Sequence, residues 1–84
     1  MLKVYSAPWC PHCMDTIECL KAHDIAFQKI DIEAQPQNII QKIIEVNGGD
    51  DWAIPTLEYN GRWRPGKEFD AIEIEQDLKA LGVI

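Results

Sequence analysis

The chain is expected to form an α/β fold in which three helices cover a four-stranded mixed sheet, in the order β-α-β-α-β-β-α. Three observations lead there. Extended and helical patterns alternate through the first half, which makes a β-α-β unit with two parallel strands. Asn60-Gly61 lies between two short extended runs, the mark of a two-residue hairpin and so of antiparallel strands. Finally, 84 residues with 46% hydrophobic content suit one small packed unit, so residues 1–84 are taken as a single domain.

The elements follow in order. Leu2 to Tyr5 is short and apolar and reads as a buried strand. Pro11 opens a helix, because a proline at the first helical position loses no needed N–H; Cys10 is then the N-cap. Ile17 and Leu20, with Cys13, Thr16 and Cys19 nearby, give that helix one apolar side as far as about His23. Ile25 to Ile32 reads as the second strand. Pro36 starts the clearest helix, where Ile39, Ile40, Ile43 and Ile44 form one stripe and are taken as core, and Gly48-Gly49 ends it. Ile54 to Tyr59 is a strand entered through Pro55, and Arg62-Trp63-Arg64 is its hairpin partner. Asp70 followed by Glu73 matches a helix cap, so the last helix runs from about Ala71 to Leu81, with Gly82 closing it.

Charge and composition exclude several functions. Fourteen acidic against eight basic residues give a formal charge of −6, opposite to the basic face that nucleic acid requires. No apolar run approaches a membrane span, and Met1-Leu2-Lys3-Val4-Tyr5 holds no stretch of signal-peptide length. A cytoplasmic protein is therefore expected. In a reducing compartment, three cysteines with two closely spaced point to catalysis or metal binding rather than to a disulfide framework.

The informative run is Ser6-Ala7-Pro8-Trp9-Cys10-Pro11-His12-Cys13. A disulfide needs Cα atoms roughly 4.4–6.8 Å apart, and one helical turn brings positions i and i+3 to that separation. The pair can open and close with little backbone movement. Zinc is the competing use, because Cys10, Cys13, Cys19 and His23 are four potential ligands. On one helix, however, Cys13 and Cys19 are about 9 Å apart along the axis and point away from one another, so the four cannot converge at zinc–ligand distances. A redox pair is the better reading, and no metal is assigned. Cys10, at the helix mouth, faces unpaired N–H groups and the positive end of the dipole, which favour its thiolate. Cys13, one turn deeper, keeps its proton longer. Cys19 falls beside Leu20 and reads as a buried inert thiol, with a regulatory thiol as the alternative. Trp9 is expected to be exposed beside the thiols, while Trp52 and Trp63 divide between that patch and packing. Lys3 and Lys29 read as ordinary solvated lysines.

These residues resemble the thioredoxin superfamily and, within it, the glutaredoxins, over essentially the whole chain. Three features carry the resemblance: Cys-x-x-Cys between the first strand and helix, Ile54-Pro55 opening a later strand, and a short hairpin leading to a final helix. Cys10 comes too early for the additional strand and helix with which thioredoxins usually begin. The motifs are mixed. Cys10-Pro11-His12-Cys13 is similar to the glutaredoxin pattern with histidine in place of tyrosine, a histidine also carried by strongly oxidising periplasmic proteins. Trp9 looks like thioredoxin. Pro65-Gly66-Lys67-Glu68-Phe69-Asp70 replaces the glutaredoxin Gly-Gly and acidic pair, with an extra residue, and Trp63-Arg64-Pro65 is similar to redoxins that serve ribonucleotide reductase.

The resemblance implies a three-layer α/β/α thioredoxin-like fold and a thiol–disulfide oxidoreductase acting on protein or glutathione mixed disulfides. Cys10 and Cys13 would be the catalytic thiols, the first attacking and the second resolving. Trp9, Pro11, His12, Ile54, Pro55 and Asp70 would line the substrate and glutathione site. It implies a cis bond before Pro55, which packs beside the thiols, keeps metal from them, and leaves the Ile54 backbone free to pair with an extended substrate. A protonated His12 would further favour the Cys10 thiolate. No tightly bound cofactor is implied; glutathione would be the co-substrate. Partners would be disulfide-containing proteins, with the chain a monomer and no nucleic acid or membrane involved. Two alternatives remain: a glutathione-independent donor recycled by a thioredoxin reductase, and a carrier in which a glutathione-capped thiolate holds an iron–sulfur cluster, against which the resolving Cys13 argues.

Overall fold

A computed structural model describes residues 1–84. Strand β1 (Leu2–Ser6) leads into helix α1 (Pro11–Ala22), strand β2 (Phe27–Asp31), a 3-10 turn (Ile32–Ala34) and helix α2 (Gln37–Val46). Strand β3 (Thr56–Tyr59), strand β4 (Arg62–Arg64) and helix α3 (Ala71–Leu81) complete the chain. The sheet order is β2-β1-β3-β4. β1 runs parallel to β2, pairing Val4 with Lys29, and antiparallel to β3, pairing Val4 with Leu57. The order, the mixed sheet and the α/β class are those expected from the sequence.

Alternation along β1 sorts the layers. Leu2 and Val4 face α1 and α3, where they join Leu20, Leu57, Ile74, Leu78 and Leu81 in a fully buried cluster. Tyr5 faces the other way and meets Ala7, Ile32 and Ile43 beneath α2. The result is three layers, with α1 and α3 on one face and α2 on the other.

Four local expectations are corrected, each for a physical reason. The second strand begins at Phe27 because Ile25 donates its N–H to Leu20 at 3.0 Å, closing the turn after α1. It ends at Asp31, whose carboxylate accepts from Glu33 N–H at 2.9 Å and so starts the 3-10 turn at Ile32. Pro36 stands at the N-cap of α2, with extended backbone, and is not the first helical residue. β3 begins at Thr56, since Pro55 has no N–H for the ladder. The isoleucine stripe is also only partly core: Ile43 is fully buried, while Ile39, Ile40 and Ile44 are half-buried. A lone helix on that face leaves its flanks partly open to solvent.

The hairpin turn has left-handed backbone at Asn60 (φ 51°) and Gly61 (φ 84°), as a two-residue turn of this hand requires. α3 is capped by Asp70, which accepts from Ile72 N–H at 3.0 Å and Glu73 N–H at 2.9 Å. The Glu73 carboxylate does not reach back to the cap; it pairs with Lys67 at 3.3 Å.

Candidate active site

Cys10 is the N-cap of α1, and its sulfur accepts the Cys13 N–H at 3.2 Å. A helix N-terminus thus aims a backbone donor at the Cys10 sulfur, the arrangement that favours a thiolate. Cys13 is 1% exposed and Cys10 5%. Burial, first, and then the neighbouring Cys10 push the Cys13 thiol up to about 12, with a backbone contact from Ala7 partly opposing the rise. Cys13 is accordingly a protonated thiol one turn beneath Cys10, and no disulfide joins the two.

His12 lies between them, exposed to solvent, and its Nδ1 accepts the Phe69 N–H at 3.1 Å. The bond ties α1 to the loop before α3. Phe69 was not singled out from the sequence. Its position was nonetheless readable, as the apolar residue just before the Asp70 cap, and it packs on the cluster that contains Ile74.

Trp9 is 60% exposed beside Cys10, and its indole donates to Glu33 Oε1 at 2.8 Å. No sequence signal marked Glu33, which the turn after β2 brings into reach. Trp52 and Trp63 belong to the packing beneath α2, and Trp63 stacks on Tyr5 with ring centres 6.0 Å apart. The aromatic patch at the thiols is therefore Trp9 alone. Pro11 is exposed at the first turn of α1.

The Ile54–Pro55 peptide is cis and Pro55 is buried. Gly66 sits flush against this segment: a Cβ there would lie 2.7 Å from Ala53 C and 2.9 Å from Ile54 N. Asp70 caps α3 through Oδ1 alone, leaving Oδ2 uncommitted.

Other expected residues lie apart. Cys19 is half-buried on the α1/α3 side, its thiol raised by burial and by Glu75, and its sulfur is 3.7 Å from His23 Nδ1. No three His, Cys, Asp or Glu side chains gather as a metal-binding group. Lys29 lines a recess with Pro8, Ile17 and Asp31. Arg64, which carried part of the resemblance, is 4% exposed and bonds Asp77 at 2.7 Å on the α3 side.

The glutaredoxin family model matches residues 2–64, which span the cysteine pair, the Ile54-Pro55 segment and the hairpin. The chain belongs to the glutaredoxin family. Its members are thiol oxidoreductases, a chemistry that the two adjacent sulfurs suit. A glutaredoxin from Archaeoglobus fulgidus is similar in fold, with a TM-score of 0.69 at 20% identity over 89% of this chain and 82% of that one. A thioredoxin-like protein has a TM-score of 0.64 at 24% identity, covering 90% of this glutaredoxin and 97% of its own chain. Wheat glutaredoxin has a TM-score of 0.61 at 20% identity, over 99% and 76% of the two chains. Among curated proteins no significant match is found. No helix of this glutaredoxin is long and apolar enough to cross a membrane.

Proposed function

We propose that this glutaredoxin is a dithiol oxidoreductase in which Cys10 attacks a substrate disulfide and Cys13 resolves the product. The observation that carries the reading is the asymmetry of the pair. One sulfur receives a helix N-terminal N–H at 3.2 Å, while the other is held protonated with a pKa of about 12.

The Cys10 thiolate attacks one sulfur of the substrate disulfide, forming a mixed disulfide and releasing the other substrate sulfur as a thiolate that takes up a proton. Once the Cys10 sulfur is covalently bound it carries no negative charge. The part of the Cys13 rise that comes from Cys10 then vanishes, leaving burial opposed by the Ala7 backbone contact. Cys13 gives up its proton, attacks the Cys10 sulfur and expels the second substrate thiolate. Two electrons have passed to the substrate, and the Cys10–Cys13 disulfide remains. Trp9, Pro11 and the Ile54–Pro55 segment border the substrate, and His12 holds the loop before α3 in place.

The substrates on this reading are protein disulfides and glutathione mixed disulfides, with glutathione recycling the oxidised form and its amine meeting the uncommitted Asp70 Oδ2. A second reading has a specific observation in its favour. Glu33, hydrogen-bonded to Trp9 beside Cys10, sets a negative charge at the site on a chain of net −6. Such a field opposes an anionic tripeptide and suits a reductase with a basic docking face. Supplying glutathione with its reductase, or thioredoxin reductase alone, decides which system reduces the oxidised protein.

The roles have their own test. Cys10→Ser should lower disulfide exchange by at least about a thousandfold, the scale of losing a nucleophile. Cys13→Ser should accumulate mixed disulfides and retain partial activity toward glutathione-linked substrates. Equal and total loss in both variants would overturn the assignment.

A further inference from the structure

The segment that leads from α2 into β3 has little regular structure of its own. Gly48 and Gly49 follow α2 with φ of 104° and 96°, and from there to Pro55 no residue lies in a helix or strand. Something must nonetheless hold Ala53 and Ile54, whose backbone faces the substrate if the reading above is right.

One half-buried side chain reaches all the parts involved. Asn47, the last residue of the α2 turn, donates through Nδ2 to Ile43 O at 2.8 Å and to Thr56 Oγ1 at 3.0 Å. Its Oδ1 accepts the Gly66 N–H at 2.8 Å. Thr56 passes the link onward, since its hydroxyl donates to Ala53 O at 2.6 Å. Gly66, drawn in by Asn47, lies against Ala53 and Ile54 so closely that no side chain fits between. The Ala53–Ile54 backbone is thus held from two directions, by Thr56 on its carbonyl and by Gly66 on its flank, and both holds end on the same carboxamide. The carboxamide uses both its donors and its acceptor, so an alanine there leaves three partners unanswered. Asn47 itself makes no hydrogen bond to either cysteine, so its effect must pass through this segment.

We propose that Asn47 is a positioning residue for polypeptide substrates: its carboxamide sets the Ala53–Ile54 backbone on which an extended disulfide-bearing chain lies. This rests on the oxidoreductase reading above. A substrate that pairs with backbone needs that backbone placed correctly. A small symmetrical disulfide, which reaches only the Cys10 sulfur, does not.

The test compares a disulfide-bearing peptide with 2-hydroxyethyl disulfide on native protein, Asn47→Ala, Thr56→Val and the double variant. In Asn47→Ala the peptide KM should rise, and the ratio of kcat/KM for peptide over small disulfide should fall about tenfold, the size of one lost oriented interaction. The pH profile of Cys10 alkylation should not move. Thr56→Val should lower the same ratio, and the double variant should do no worse than the more severe single one, because both act on one network. An unchanged ratio in either folded variant, a proportional loss on both disulfides, or additive effects in the double variant would overturn the proposal. Thr56→Val, nearly the same shape, carries the test if Asn47→Ala does not fold. A native protein that reduces neither disulfide removes the oxidoreductase reading, and the proposal with it.

Discussion

The two faces of the sheet are built differently. On the α1/α3 face, seven fully buried residues from strands and both helices form one cluster, bordered by a buried arginine paired to Asp77. On the α2 face, Tyr5, Ala7, Ile32 and Ile43 are fully buried, and the surrounding Ile39, Ile40, Trp52, Ile54 and Trp63 are half-exposed. The redox helix α1 is anchored to the first face through Leu20, and the Ile54–Pro55 segment is packed with the second. The larger fully buried cluster lies on the face that anchors α1, and the face with the smaller one carries the segment proposed to meet the substrate. That division suits a protein whose sulfurs need fixed geometry while partners of varying shape pass in front of them.

The comparison can be broken first at its most expensive point. Burial alone would raise the Asp77 carboxyl, but hydrogen bonds and charge from Arg64 and Lys67 outweigh it and hold the carboxyl below its ordinary 3.8. Arg64 is 4% exposed, so Asp77→Ala strands a buried charge. Urea denaturation should show a loss of about 3–5 kcal/mol. A loss below about 1 kcal/mol, the range of a surface pair, would mean that the pair does not brace this face.

The second contrast is between cores. Leu78→Ala, inside the seven-residue cluster, should cost about 3–4 kcal/mol, and Ile43→Ala, whose neighbours are half-open and can settle into the gap, about 2 kcal/mol. Thermal melts that reverse this order would contradict the description of a firm and a loose face.

The smallest effect sharpens the first. A carboxyl whose native pKa is lowered contributes stability above its unfolded value, and that contribution disappears as pH falls through the native one. The deficit of Asp77→Asn relative to the native protein should therefore be full at neutral pH and shrink below about pH 4. A deficit that stays constant into that range would show that the carboxylate charge is not what matters.

Much of this was readable in the residues. Pro11 after Cys10 marked the helix mouth, Asn60-Gly61 the hairpin, and Asp70 the last cap, since each depends on chemistry within a few positions. The parts that escaped depend on distant partners. Asn47 reads as a polar residue before two glycines, and only folding brings Gly66 and Thr56 to its carboxamide. Arg64 reads as a solvated strand residue until Asp77 on α3 closes over it. The tie from His12 to Phe69 joins residues fifty-seven positions apart. Ile25 and Ile32 have the pattern of strand residues, but turn hydrogen bonds at each end claim them first.

The indole bond from Trp9 to Glu33 has a consequence beyond the thiols. Glu33 lies in the 3-10 turn just after β2, an edge strand whose far side has no neighbour in the sheet. The redox loop is therefore moored to the rim of the sheet as well as to its centre. A molecule that clasped that rim would tug on the residue next to the reactive sulfur without entering the cleft.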